Sequence, residues 1–438
     1  MQSSTAWRPI ARVFLPFTAG YYLSYLFRTI NALIAGHLSS DARLGTADLG
    51  LLTSVYFLIF AAAQIPIGIL LDRFGPCRVQ SALLSVAAVG AELFAVSTGF
   101  LSLIVARAMI GLGVAAALTA GLKSIVLWFP RERVALLNGY MIMLGSLGAV
   151  TATTPVEHLL GWMDWRQLFE ILAAATGATA ILIYVVVPER VIIPSTSSIP
   201  ATLGSVLGDK RFWRIAPLSA TCVGSAWSLQ GLWASPWLMD VEGFNRASLV
   251  RQLFMMSLVL SGGAWLFGTT LHCIRRRRAG AETILGTVAL LFIVAQIALI
   301  LRLPLPSILP WSVVAIVGTA TVVSFAVIAD YYPPELAGRA NGALNVLHFG
   351  WAFLAQYATG VVLEQWSTED GYRSVVAYQV AFGLNVALQV AALAWFALPR
   401  LQSVILRIAS IPSIMPTGAF DAVEAGIFYE QADDDAEW

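Results

Sequence analysis

The sequence predicts an all-α integral membrane protein with twelve transmembrane helices in two pseudo-symmetric six-helix halves. Three observations carry this. Of the 438 residues, 58% are hydrophobic and only 12% charged, with a mean hydropathy of +0.78; a soluble domain carries about 25% charged residues. Apolar runs of bilayer-crossing length, roughly 20 residues each, recur twelve times between turn signals. They cover about 10–36, 48–71, 79–98, 101–127, 134–160, 167–187, 213–238, 248–272, 281–302, 308–331, 341–364 and 374–398. Finally, the loops repeat. The loop FPRERVALLNG (129–139) is echoed by YPPELAGRANG (332–342), so that Pro130, Glu132, Asn138 and Gly139 recur as Pro333, Glu335, Asn341 and Gly342, each offset by 203. GILLDRFGPCR (68–78) is echoed by GTTLHCIRRRR (268–278), offset by 200.

The longest break between runs, 188–212, is Pro/Ser-rich and polar. It divides the chain into an N-terminal half (1–187), a linker (188–212), a C-terminal half (213–398) and a tail (399–438). With the N-terminus inside, seventeen of the 26 basic residues fall on the inner side and six on the outer. That bias places both termini, linker and tail in the cytoplasm, in a multi-pass protein of a bacterial inner (plasma) membrane. A net charge of +1 gives no case for nucleic-acid binding. Cys77, Cys222 and Cys273 form no metal-type cluster, and Cys77 and Cys273 fall in inner loops, against a disulfide. The start, MQSSTAWRPIARVF, has no cleavable-signal pattern, so the first span is expected to direct insertion. The tail opens with an amphipathic piece, LQSVILRI, and ends in the acidic run EQADDDAEW, which reads as a solvated segment.

The stretch Gly68-x3-Asp72-Arg73-x-Gly75-x2-Arg78 resembles the loop 2–3 signature of the major facilitator superfamily. Gly68 lets two helices approach, Asp72 caps or pairs at a helix end, and Arg73 and Arg78 anchor the inner face. The resemblance implies the major facilitator fold, with these residues as a conformational latch engaged when the carrier is open outward. The second copy has His272 where the Asp would stand. Within the superfamily, GYYLSYLFRTINAL (20–33) resembles the first span of the organophosphate:phosphate antiporters, whose matching Arg binds the substrate anion. LKSIVLWFPRER (122–133) resembles the span-4 exit of the anion:cation symporters, which places Lys123 where those carriers hold a basic residue. Those antiporters carry a second Arg in span 7; here span 7 has none, which favours a carboxylate over a phosphate ester.

Candidate site residues follow. Arg28 stands inside an apolar run, where a guanidinium costs at least ~2.5 kcal/mol unless it faces protein or water. At helical spacing Tyr21, Tyr25, Arg28 and Ala32 share a face, with Ser24 and Asn31 at its edges. The resemblance puts spans 1, 4, 7 and 10 around a central cavity, flanked by 2, 5, 8 and 11. Lys123 near the inner end of span 4 reads as a second anion ligand or as a snorkelling lysine. Tyr56 and Gln64 of span 2 read equally as lining or core. Span 7 offers Trp227, Gln230, Trp233 and Trp237. In span 11, Asn341, Asn345, His348, Ala352 and Gln356 share a face, a wet stripe or an interhelical hydrogen-bond seam. Glu92 and Arg107 lie seven and eight residues from the turn at Gly99, at equal depth; they read as a structural ion pair or as a proton-coupling pair. His348 is the other coupling candidate, since imidazole titrates near neutral pH.

Together these predict a secondary active transporter of a small organic anion, a carboxylate, working by alternating access and coupled to protons or another ion. The expected partners are the small-molecule substrate, the coupling ion and the lipid bilayer, with no cofactor, no metal and a monomeric chain. No nucleotide-binding GxxxxGK[ST] motif is present. An efflux antiporter for a drug-like or siderophore-like compound, with Trp227, Trp233 and Trp351 lining it, is the rival within the class. A non-transporting sensor or assembly factor is the rival outside it. An enzyme is not expected: the His/Glu neighbours, Glu157 and His158, lack a nucleophile or metal spacing.

Overall fold

The computed structural model describes residues 9–188, 203–275, 280–366, 368–369 and 372–409. Most of the predicted linker, the basic cluster Arg276 to Arg278 and the acidic end of the tail lie outside the described residues. Those described are almost wholly helical; one short hairpin pairs Thr368–Glu369 with Tyr372–Arg373, which hydropathy did not foresee. The last helix runs past the predicted end, Val375–Ala409. The helices up to Phe396 form one compact unit, and the described residues from Ala397 to Ala409 belong to a second.

Among the described residues, ten helices are long and apolar enough to cross a membrane. The first and seventh predicted spans are built differently. Span 1 is a π turn, Ile10–Phe14, followed by Leu15–Thr29 and, after a break at Ile30, Asn31–Ala42. Span 7 is Lys210–Ser228, a π turn Leu229–Trp233, and Ala234–Asp240. Each π turn stands just before a proline, Pro16 or Pro236. Proline donates no backbone bond to the carbonyl four residues earlier, and a widened turn relieves the clash there.

Spans 4 and 10 are interrupted too. Span 4 breaks at Ala115 and Ala116, between Phe100–Val114 and Ala117–Trp128. Span 10 breaks at 318–320, between Ile308–Val317 and Thr321–Tyr331. These breaks coincide when the halves are offset by the 203 residues that relate the loop echoes. The helices after those loops start alike, on Pro130 (φ −63°, ψ 148°) and Pro333 (φ −61°, ψ 156°). The repeat in sequence is thus a repeat in backbone geometry.

Small residues set the close crossings. A Cβ on Gly148 of span 5 would overlap the Tyr22 carbonyl of span 1. Between the halves, a Cβ on Gly50 of span 2 would stand 3.3 Å from the Gln356 carbonyl and 3.4 Å from Gly360 Cα of span 11. Cys77, expected in a loop, lies buried in the first turn of Pro76–Val96, its thiol donating to the Ile183 carbonyl at 3.4 Å.

The bonds between halves cluster toward the end of the bundle that carries Glu157. Arg246 donates to both Glu157 oxygens, at 2.7 and 2.5 Å, and to the Leu33 carbonyl at 3.2 Å. Arg373 donates to Thr46 Oγ1 (3.0 Å), Gln356 Nε2 to Thr53 Oγ1 (2.7 Å) and Asn345 Nδ2 to Gln64 Oε1 (3.0 Å). Phe60 stacks on Phe349 with ring centroids 3.8 Å apart. At the opposite end, beyond Gln64, span 2 is uncovered: Ile69 is 63% exposed and the Asp72 side chain 83%. The bundle is closed at the Glu157 end.

Truncating Arg246 to Ala removes the tie to Glu157 and Leu33. A part-exposed ion pair contributes about 1 kcal/mol at most. The labelling rate of a Thr29→Cys thiol, in a cysteine-free background, by an impermeant reagent added from the Glu157 side is therefore expected to rise about fivefold. An unchanged rate would mean that packing alone closes this end.

Candidate functional site

The site begins with the face predicted in span 1. The Tyr21 and Tyr25 rings meet edge to face at 5.1 Å. The Arg28 guanidinium lies 4.1 Å above the Tyr25 ring and 5.0 Å from the Trp227 ring of span 7. It is half-buried, and among the described residues no carboxylate pairs with it. Its described partners are π faces, worth about 0.5–2 kcal/mol each, which leave the guanidinium hydrogens unspent. A cation at membrane depth without a counter-charge is costly.

Around Arg28 the broken helices govern what the polar side chains do. The Ala115 carbonyl, freed at the break in span 4, accepts from Gln64 Nε2 at 3.3 Å. The Gly318 carbonyl, freed at the equivalent break in span 10, accepts from Trp227 Nε1 at 2.8 Å. Gln230 is half-buried beside Gly318. With Thr29, Ala32, Ser257 and Met256 it lines a cavity of about 30 Å³, room for one or two waters. Asn31 is buried, with its Oδ1 unpartnered.

Several predicted ligands are placed elsewhere. Lys123 does not join Arg28; its Nζ bonds Asp72 Oδ1 at 2.6 Å and the Leu71 carbonyl at 2.8 Å. It closes onto the loop 2–3 motif because span 4 exits beside the end of span 2. Tyr56 is core: 1% exposed, it reaches the Ser24 carbonyl at 3.4 Å, and Gly111 is pressed against its backbone. His348 is buried in the C-terminal half, its Nε2 2.6 Å from Ser219 Oγ, which is 2.6 Å from Ser324 Oγ. Gln356 seals the closed end through Thr53, with its own carbonyl accepting from Trp233 Nε1 at 3.0 Å. The span 11 stripe is therefore largely a hydrogen-bond seam, with half-buried Asn345 at its middle. Trp351 donates to Ser225 Oγ and lines a groove against Leu384 and Leu388, away from Arg28.

Glu92 and Arg107 do not meet. Glu92 is exposed. Arg107 is 0% exposed, with all three guanidinium nitrogens unbonded, 4.4 Å from the Phe94 ring and 5.3 Å from Phe169. Equal distance from a turn equalises depth but not rotational phase, and the phase points Glu92 outward.

In the loop 2–3 motif, Gly75 has φ +80° and caps the helix start, a conformation that favours glycine. Arg73 lies 5.1 Å from the Phe74 ring, and Arg78 is exposed. The close approach expected at Gly68 is not made: a Cβ there would meet nothing within 4 Å. Sequence reasoning missed Glu157, Arg246, Thr53 and Arg373 as ties of the closed end: Arg246 and Arg373 enter it only through topology, and Glu157 only as a neighbour of His158.

The Major Facilitator Superfamily profile matches residues 17–356. The hexuronate transporter of Escherichia coli (strain K12) is 28% identical over 284 residues, 60% of this chain and 64% of its own length. The galacturonate transporter of Dickeya chrysanthemi is 26% identical over 271 residues, 57% of this chain and 78% of its own. Among solved structures, a bacterial homolog of the human lysosomal transporter Spinster, inward-facing and occupied, aligns with a TM-score of 0.69 at 19% identity over 88% of this chain and 95% of its own. The D-xylose-proton symporter aligns with a TM-score of 0.69 at 14% identity over 88% and 97%. These structures share the fold, and the family match spans most of the chain: the protein is a multi-pass membrane protein of the Major Facilitator Superfamily.

Proposed function

We propose that the protein is a secondary active transporter that moves a small organic carboxylate across the bacterial inner membrane by alternating access. The observation that carries this reading is Arg28, a half-buried guanidinium held by the rings of Tyr25 and Trp227 with no carboxylate against it among the described residues. Relatives that carry hexuronate and galacturonate, both organic anions, support the same class. In this reading the Asp72 end faces the cytoplasm, as the basic-residue bias argues, and the halves 1–187 and 213–398 rock about Arg28. Gly68, Asp72, Arg73, Gly75 and Arg78 latch the halves only in the opposite state, which accords with the open space at Gly68. The binding role of Lys123 is withdrawn in favour of a tie to Asp72.

Proton coupling is assigned to His348, whose Nε2 joins a chain through Ser219 to Ser324 and whose Nδ1 is buried without a partner. The chain ends on the Ala320 carbonyl at the break in span 10, so protonation there acts on a helix that bends.

Two measurements test this. Arg28→Ala in proteoliposomes is expected to cut carboxylate uptake at least about 30-fold, as truncating one partner of a buried charge pair does. Wild-type uptake by a correctly inserted variant would refute the anion site. His348→Asn is expected to lose uptake driven by a pH gradient while substrate exchange persists; uptake still driven by the gradient would move the coupling group elsewhere.

A further inference from the structure

We infer that the anion bound at Arg28 carries a flat apolar body, so that the favoured substrates are aromatic monocarboxylates rather than polyhydroxylated acids. This rests on the reading of Arg28 as the anion site and narrows it.

The first ground is a continuous run of buried aromatic rings leading from the guanidinium. Arg28 lies 5.0 Å from the Trp227 ring, Trp227 is 4.6 Å from Phe349, and Phe349 is 3.8 Å from Phe60, measured between centroids for the ring pairs. Tyr25 covers the guanidinium 4.1 Å away. The half-buried Arg28 guanidinium carries paired N–H donors, the geometry a carboxylate takes.

The second ground is the state of the polar groups beside those rings. A sugar acid needs a donor or acceptor for each hydroxyl it brings, because burying an unmatched hydroxyl is costly. Here most of those groups are already occupied by the protein. Trp227 Nε1 serves Gly318, Gln64 Nε2 serves Phe60 and Ala115, and Asn345 Nδ2 serves Gln64. Gln356 Nε2 serves Thr53, and the Tyr56 hydroxyl serves Ser24. Of the amides predicted to line the site, Gln230 and Asn31 have no described bond; Gln230 opens on a cavity lined largely by Ala, Leu and Met, and Asn31 Oδ1 is buried. One cation, a run of aromatic rings and amides mostly bonded within the protein match one carboxylate on an apolar ring.

The full chain, purified and reconstituted, is titrated calorimetrically with benzoate, D-glucuronate and propionate. Benzoate is expected to bind at least about tenfold more tightly than glucuronate. An aromatic contact contributes roughly fivefold in affinity, so Phe349→Leu is expected to weaken benzoate by about that factor and leave propionate unchanged. Tyr25→Leu serves as the second variant should the first fail to fold. Arg28→Gln is expected to abolish binding of both benzoate and propionate. Glucuronate binding as tightly as benzoate, and lost in Arg28→Gln, overturns the aromatic preference and leaves the anion site standing. Benzoate binding unchanged in both aromatic variants overturns the preference as well. Binding indifferent to Arg28→Gln, or no binding of any of the three, overturns both readings.

Discussion

Every backbone polar group inside a bilayer must find its partner within the protein, and four interrupted helices make that demand acute here. Breaking spans 4 and 10 in mid-membrane frees carbonyls that a continuous helix would have occupied. Gln64 meets the one at Ala115 and Trp227 the one at Gly318, each reaching across from a neighbouring helix. The two repairs fall at equivalent places in the repeat and differ in chemistry. Gln64 is also bonded by Asn345 of the other half, so the break in span 4 is tied to the relation between the halves. Trp227 is also the ring beside Arg28, so the break in span 10 is tied to the site. A ligand that moves the Trp227 ring acts directly on the cap of a bending helix.

The contacts divide by chemistry in a way that suits a moving protein. Within a half, helices meet at glycine crossings and through buried apolar side chains, which tolerate little displacement. Between halves at the Glu157 end, they meet through the Gly50–Gly360 crossing, a part-exposed ion pair, an amide-to-hydroxyl bond and one stacked ring pair. Exposed ion pairs contribute little net stability, and their groups are readily rehydrated. Such a seam opens at a cost of a few bonds, whereas sliding the Gly148 crossing would drive a backbone into a backbone.

The fold was largely legible because hydropathy and loop echoes are direct consequences of bilayer thickness and of the repeat. The site was legible in part. Arg28, Tyr25 and Trp227 come together because the cost of a lone charge in an apolar helix is written in composition. The helix breaks were not read, since they arise from Pro16 and Pro236 acting on turns upstream and from packing among alanines and glycines. Lys123 and Glu92 misled for one reason: depth follows from counting residues, but the direction of a side chain follows from helix phase and neighbours. Gln356 and His348 do share a face of span 11, and that face lies against other helices along most of its length.

Arg28 and Arg107 show what separates a site from a structural charge. Both are arginines in apolar spans of the N-terminal half, and both lie against aromatic rings. Arg107 is wholly enclosed, with Phe94 and Phe169 on it and every nitrogen sealed from solvent. A ligand reaching it would have to displace packed rings and part spans 3, 4 and 6. Arg28 sits where two halves meet, on a helix broken at Ile30, and its partner ring belongs to the opposite half. In the proposed alternating access its surroundings change as the halves rock, which is the condition for a charge to bind its ligand differently in two states. Differential affinity between states is what lets a ligand bias a conformational equilibrium, and only the arginine at the seam meets that requirement.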